Sequence, residues 1–250
     1  MDDDQLLELF HEAVTAVAAA LAGLDDWGLA GTRPSQYRSD LVADAAAVPI
    51  LLEAGLGVLS EESGLAGMGR PVVAVVDPVD GSTNAAHGLP WYATSLCAVD
   101  AEGPRVAVVA NQASGVRFEA VRGGGARRAG RPLTASGCEI LDRAVVALSG
   151  YPARHLGWGQ FRALGAAALD LCAVAEGTVD AYVDCSRSGQ GPWDYLGGTL
   201  VCLEAGAAIV DARGRPLVAL GHADRRAPVA AATSALLSPL VTARVSLPGE

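Results

Sequence analysis

Two aspartates three residues apart, Asp77 and Asp80, follow the apolar run Val72-Val73-Ala74-Val75-Val76 and precede Gly81-Ser82-Thr83-Asn84. Such a continuous β-branched run predicts a strand buried on both faces, and α/β folds gather ligands at the carboxyl ends of such strands. Pro78 fixes the backbone between the two carboxylates, so that both of them and the Val79 carbonyl can address one volume. Gly81 frees the turn, while Ser82, Thr83 and Asn84 are residue types that begin helices. A helix start would present N–H groups to an anion beside the carboxylates. Hard oxygen ligands next to an anion cradle suit Mg²⁺ bridging protein carboxylates and a phosphate. Two such ions about 3.5–4 Å apart would serve in-line phosphoryl displacement by water.

Taken alone, Asp-x-x-Asp-Gly favours an ordinary strand-to-helix turn with capping side chains. An EF-hand loop is excluded, because it needs acids at its first, third and fifth positions. The haloacid-dehalogenase nucleophile motif is excluded as well, because its aspartates stand two apart. What raises the turn above background is its company. Glu61-Glu62-Ser63-Gly64 follows a short predicted strand at Gly57-Val58-Leu59-Ser60, and Trp193-Asp194-Tyr195-Leu196-Gly197-Gly198 opens a predicted helix, with Glu204-Ala205-Gly206-Ala207 after it.

The elements that must position these groups follow from periodicity. Apolar residues at helical spacing predict a helix over 5–22 ending at Gly23, then a loop over 31–40 and an alanine-rich helix over 41–54 despite Pro49. Strands are predicted at 92–99 and 105–110, and a hairpin at 116–134 turning at Gly123-Gly124-Gly125. Near residue 136 the character changes to strand (144–149), helix (161–176), strand (179–183) and a helix from Trp193 to about 205. No repeat or flexible linker intervenes. The expectation is one continuous unit of two halves sharing a cleft: residues 1–135 carry Glu62 and the Asp77–Asn84 segment, and 136–250 carry Asp194 and the substrate contacts.

Composition narrows the chemistry. The chain has 250 residues, 51% apolar and 18% charged, with net charge −10, and all 18 basic residues are arginine. That balance argues against nucleic acid, which is bound through basic stripes, and removes Schiff-base and P-loop lysine mechanisms. An acidic protein still binds phosphate when metal cations supply the positive charge. The start, Met1-Asp2-Asp3-Asp4, is acidic where a secretory signal is basic, and Asp170, Glu176, Pro228 and Pro239 interrupt the most apolar stretches. No stretch reaches the roughly 18 uncharged residues of a spanning helix. Cysteines 97, 138, 172, 185 and 202 never form Cys-x-x-Cys, and His11, His87, His155 and His222 are scattered. These features predict a cytoplasmic protein with free thiols, no membrane partner and no soft-metal site.

The three motifs in this order resemble the inositol monophosphatase family, the Mg²⁺-dependent, lithium-sensitive sugar-phosphate phosphatases. Phe118-Glu119-Ala120 through Leu133-Thr134-Ala135-Ser136 is similar to the family's central hairpin, and Arg162 through Gly165-Ala166-Ala167 to Gly177 and Asp180-Ala181-Tyr182 to its penultimate helix and strand. The resemblance implies an αβαβα sandwich of the inositol monophosphatase / fructose-1,6-bisphosphatase type, commonly a homodimer. It implies a first Mg²⁺ on Glu62, Asp77 and the Val79 carbonyl, and a second on Asp77, Asp80 and Asp194; a third ion belongs to members with one further acid. Gly81 and Ser82 N–H groups would bind phosphate, with the Ser82 hydroxyl toward the attacking water. Asp80, Asp194, Asp184 and the Ala167 backbone would contact the substrate's hydroxyl-bearing part. The implied activity is hydrolysis of a phosphomonoester on a small polyol or sugar. Alternatives are histidinol-phosphate, fructose-1,6-bisphosphate or 3′-phosphoadenosine 5′-phosphate phosphatase, or a catalytically weakened regulatory protein that binds metal and phosphate. A bisphosphate or nucleotide would need cationic side chains near the site, and the sequence is poor in candidates, which favours a monophosphate.

Departures from the family pattern matter as much. Where the family has Asp-x-Val-Thr-x-x-Asp, this chain has Asp40-Leu41-Val42-Ala43-Asp44-Ala45-Ala46, and the family's upstream lysine is absent, leaving Arg33 or Arg38 as substitutes. Asp44 takes over the missing acid only if the helix is shifted. Loss of a general-base element is worth about 10²–10⁴-fold in rate. His87 reads as a surface residue, Trp91 and Tyr92 as packing residues, and Arg127, Arg128 and Arg131 as a solvated hairpin edge. The insertion Cys185–Gly191 lies between two expected substrate residues, which reads either as a segment that shapes the pocket or as a passive loop extension.

Overall fold

Residues 1–247 are described by a computed structural model of the chain. In chain order the first half holds α1 (Asp3–Ala22), α2 (Arg38–Glu53), β1 (Gly57–Ser60), β2 (Gly64–Ala66), β3 (Val73–Asp80), α3 (Ser82–Ala86), β4 (Ala93–Asp100), β5 (Gly103–Asn111), β6 (Arg117–Val121), β7 (Gly125–Arg128) and β8 (Arg131–Pro132). The second holds β9 (Val145–Ser149), β10 (Gln160–Arg162), α4 (Ala167–Ala175), β11 (Ala181–Asp184), α5 (Pro192–Glu204), β12 (Ala208–Asp211), β13 (Pro228–Ala231) and α6 (Ser234–Val245).

Helix α1 begins at a capping box: the Asp2 carboxylate accepts the Gln5 N–H at 2.9 Å and the Gln5 side chain accepts the Asp2 N–H at 3.0 Å. Its buried stripe is Leu6, Phe10, Ala13, Val14, Val17 and Leu21, at the spacing the sequence predicts. Among the described helices α1 alone is long and apolar enough to cross a bilayer by length and composition. Here that stripe packs on α2 and the larger sheet instead. Helix α2 starts three residues before the expected boundary, because Asp40 reaches back to accept the Tyr37 N–H at 2.8 Å. It continues through Pro49, an interior break that costs about 3 kcal/mol, held by the buried Ala43, Ala47, Val48 and Leu51.

The strands form two sheets, ordered β2-β1-β3-β4-β5-β6-β7-β8 and β10-β9-β11-β13-β12. Strict alternation on β3 and β4 sorts the layers. Ala74, Val76, Leu96 and Ala98 face α1 and α2, whereas Val75, Cys97 and Val99 face α4 and α5. On the far side of α4 and α5, Ala147, Tyr182 and Ala230 present the second sheet's inner face. That sheet's outer face, with Val146, Leu148, Val183 and Val229, is covered by α6 through Leu236 and Leu240. The result is a five-layered αβαβα sandwich, as the resemblance implied.

The expected helix over 161–176 is shorter than predicted. Gly165 adopts φ +89° and Ala166 is extended, which no helix passes through. Residues 160–162 pair instead with β9, in register from Gln160 opposite Val145. Cys97, Cys138, Cys172 and Cys202 are free thiols.

Candidate active site

Strands β1 and β3 run parallel with Ser60 opposite Val76, so the next residues, Glu61 and Asp77, come side by side; the Glu61 N–H donates to the Val76 carbonyl at 3.1 Å. Strand β3 does not stop at Asp77 but runs on to Asp80. Against β4, Asp77 pairs with Ser95 and Asp80 with Ala93, three steps on one strand against two on the other. That bulge cancels the alternation that would send residues 77 and 80 to opposite faces. Both aspartates therefore share the face turned toward α4 and α5. The bulge is held by the Thr94 hydroxyl donating to the Pro78 carbonyl at 2.8 Å and the Val79 N–H donating to Asp77 at 3.0 Å.

From the other side, Pro192 at the start of α5 brings Asp194 into the helix's first turn, where its carboxylate accepts the Gly191 N–H at 2.7 Å. Glu61, Asp77 and Asp194 each offer a carboxylate oxygen within 4.8 Å of the others. Asp80 adjoins them, with one oxygen accepting the Ala168 N–H at 2.6 Å and a further bond from the Ala167 backbone, both at the start of α4. Gly81 turns the chain at φ +86°; a Cβ there would lie 3.0 Å from the Trp91 carbonyl and 3.1 Å from the Ala166 Cβ. After it, Asn84 donates to the Trp91 and Leu164 carbonyls, each at 2.7 Å, tying the signature to the second half.

Burial and mutual repulsion push every one of these acids upward. Desolvation and then neighbouring carboxylates raise Glu61 to about 8 and Asp194 to about 7 and place Asp77 well above the ordinary carboxylate range. Asp80 rises to about 8, chiefly through desolvation, although backbone donors from α4 oppose the shift. Clustered hard oxygen donors of this kind suit a hard divalent cation, whose charge would displace their protons.

The structure departs from the sequence expectation at Glu62. Glu61, the first residue past β1, joins the cluster, whereas Glu62 lies in the turn that follows and its carboxylate accepts from Arg33 and Gln36. Arg33 thus stands in the neighbourhood of the site, whereas Arg38 pairs with Asp26 at 3.0 Å. Asp184 does not line the cleft: it is fully buried, its Oδ1 accepting the Ser186 N–H at 2.9 Å as the 185–191 segment turns back over it. Asp44 is engaged by the Ser60 and Ser63 hydroxyls and braces the Glu61–Glu62 turn. Asp40, by contrast, accepts from the Ser82 hydroxyl, and burial raises it to about 6. The first acid of the altered segment therefore reaches the signature although Ala43 and Ala46 replace polar residues.

Sequence reasoning missed Asp170. It is the lone acid of the fully buried helix α4, and one oxygen accepts the Trp91 indole N–H at 2.8 Å. Its other oxygen has no partner, burial raises it to about 7, and it lines the cleft with Asp80, Ala167 and Asp194. That cleft has a volume of about 390 Å³. An acid interrupting an apolar helix was the signal. His87 is exposed, as expected.

Carboxylates delivered by a bulged strand and a helix start into a cleft between two sheets define the class of five-layered sugar-phosphate phosphatases. The inositol monophosphatase family matches residues 54–246, and the chain belongs to it. The fructose-1,6-bisphosphatase/inositol-1-monophosphatase of Archaeoglobus fulgidus is 30% identical over 228 residues, covering 87% of this chain and 88% of that protein. The Nus factor SuhB of Escherichia coli K12 is 35% identical over 173 residues, 63% of either chain. The solved structure of inositol monophosphatase from Anabaena (Nostoc) sp. PCC 7120 superposes with a TM-score of 0.81 at 26% identity, covering 98% of this chain and 97% of that one.

Proposed function

We propose that the protein is a Mg²⁺-dependent phosphomonoester hydrolase acting on a small sugar or polyol phosphate. The observation that carries this reading is the convergence of Glu61, Asp77 and Asp194 within 4.8 Å, beside Asp80 and the Asp40–Ser82 pair. Glu61, Asp77, Asp194 and Asp80, with the Val79 carbonyl, would hold Mg²⁺. Bound there, the ion supplies positive charge against the carboxylates and the phosphate and acidifies water. Asp40 holds the Ser82 hydroxyl, which orients the attacking water. The Gly81 and Ser82 N–H groups would receive the phosphate oxygens. Asp80, Asp170, Asp194 and the Ala167 backbone line the cleft where the alcohol portion would sit.

The test is phosphate release from inositol phosphates, glycerol phosphate, histidinol phosphate, fructose 1,6-bisphosphate and 3′-phosphoadenosine 5′-phosphate, with Mg²⁺ or EDTA. Wild-type turnover that needs Mg²⁺ and falls to the EDTA level in Asp77→Asn supports the reading. Turnover unaffected by Asp77→Asn would sink it. A second reading, a metal- and phosphate-binding regulator with weakened catalysis, draws on the Ala43 and Ala46 replacements and on similarity to proteins named Nus factor SuhB. Silence across the panel with Mg²⁺ still binding by calorimetry selects it.

A further inference from the structure

The loop between β12 and β13 leaves the second sheet and reaches the first half of the molecule. It is anchored on the α5 side. The Tyr195 hydroxyl donates to the Leu217 carbonyl at 2.7 Å, and Gln190 and Arg226 exchange backbone hydrogen bonds at 2.7 and 2.9 Å. The tip of the loop is a tight turn, in which the Asp224 carboxylate accepts the Gly221 N–H at 2.9 Å and the Arg225 guanidinium donates to the His222 carbonyl at 2.9 Å. The half-buried His222 stands at that tip.

Two contacts of the His222 ring reach two of the segments that carry the carboxylate cluster. Its Nε2 lies 3.0 Å from the Glu61 carbonyl oxygen. A carbonyl only accepts, so the ring donates there through a protonated Nε2. The ring centre also lies 4.8 Å from that of Trp193, tilted by 38°, and the Arg225 guanidinium lies 5.1 Å from the same indole. Trp193 immediately precedes Asp194. The Glu61 backbone is thus held from two sides: its N–H donates to the Val76 carbonyl at 3.1 Å, and its own carbonyl accepts from His222. Glu61 and Asp194 come from different halves of the chain, and their carboxylate oxygens lie within 4.8 Å of each other. Two ionised carboxylates at that range repel, which drives the turn after β1 and the start of α5 apart. A side chain that touches both segments resists that separation.

We propose that His222 is a positioning residue of the metal site: its ring clasps the Glu61 turn to the Trp193–Asp194 helix start, so that the two carboxylates stay assembled for a divalent cation. This rests on the metal-dependent phosphatase reading above. His222 adds no ligand atom to the cluster and acts through Glu61 and Trp193. Groups one step removed from a metal govern its affinity by about 10–100-fold, because they fix the orientation of the ligands. Along the sequence His222 is one of four scattered histidines, 161 positions from Glu61, and only the fold brings the two together.

The experiment uses the full chain and two variants. His222→Phe keeps an aromatic ring against Trp193 but cannot donate to Glu61, whereas His222→Gln carries an amide N–H that reaches as far from the backbone as Nε2. Calorimetric titration with Mg²⁺ is expected to show binding weakened about tenfold or more in His222→Phe and close to wild type in His222→Gln. The Tm of both variants in EDTA is expected to stay with the wild type. Wild-type affinity in His222→Phe overturns the proposal. An equal loss in the two variants makes the ring a packing group and also overturns it. So does a loss in His222→Phe that comes with a lowered Tm in EDTA, which makes the residue a general stabiliser. If His222→Phe does not fold, His222→Ala is compared with His222→Gln and judged by the same three outcomes. Absence of Mg²⁺ binding by the wild type sinks the metal-dependent reading itself, an outcome separable from wild-type binding that the variants leave unchanged.

Discussion

Two adjacent glutamates follow β1, and the pairing of β1 with β3 decides which serves the site: Glu61, whose N–H donates to the Val76 carbonyl, comes beside Asp77, while Glu62 enters the turn. Motif matching by residue type cannot see it, because both are glutamates and the register of β1 against β3 is a tertiary fact. Glu61 sits beside Asp77 with its proton affinity raised, while Glu62 spends its carboxylate on Arg33 and Gln36. Glu61→Gln is therefore expected to weaken Mg²⁺ binding markedly, and Glu62→Gln to weaken it far less, since the Glu62 carboxylate is engaged by Arg33 and Gln36 and not by the cluster. Calorimetry on both variants checks this, and a stronger effect from Glu62→Gln would return the metal to the position expected from the motif. Asp77, Asp80 and Asp194 were legible because their spacing to Pro78, Gly81 and Trp193 is fixed along the chain. Asp170 was not, since only the packing of α4 turns that acid into the cleft.

At the scale of elements, the glycines of the Trp193 motif show why a recognisable pattern has its form. A Cβ on Gly198 would stand 2.6 Å from the Leu171 Cβ, and one on Gly197 2.6 Å from the Ser95 hydroxyl. Helix α5 carries Asp194 to the cluster only by lying this close to α4 and β4. Gly198→Ala is expected to destabilise the fold by about 1–3 kcal/mol through overpacking and to lower Mg²⁺ affinity by shifting the helix start. Chemical denaturation with a parallel metal titration tests it; full stability in the variant would show that the two helices separate at little cost. Periodicity located α1, α2, β3, β4 and β5 well, because each buries a regular face. It overextended α4, because Gly165 and the extended Ala166 end a pattern that composition alone would continue.

For the whole molecule, the upward shifts set the sign of a pH dependence. Glu61, Asp80 and Asp194 bind protons more tightly folded than unfolded, with folded values of about 7 to 8 against ordinary carboxylate values near 4. Across that window the native state holds more protons, so stability in EDTA falls as pH rises from about 4 to about 8. Mg²⁺ displaces those protons, so its stabilising effect grows over the same window. Thermal unfolding at about pH 5 and about pH 8, with EDTA and with Mg²⁺, should show the Tm gap between the two conditions widening at the higher pH. A gap that narrows would contradict the cluster.

By itself the sequence determined the strand that carries Asp77 and Asp80 and the acid at the start of α5, which rest on local periodicity or on residues a few positions apart; the five-layered class followed from the resemblance that the order of three motifs carries. Only the tertiary structure decided that Glu61 rather than Glu62 joins the cluster, that Asp184 lies buried beneath its own loop, that Asp40 reaches Ser82 across the turn, and that His222 from a distant loop meets the Glu61 carbonyl. Those four facts depend on register, burial and long-range convergence, which no local pattern along a chain encodes.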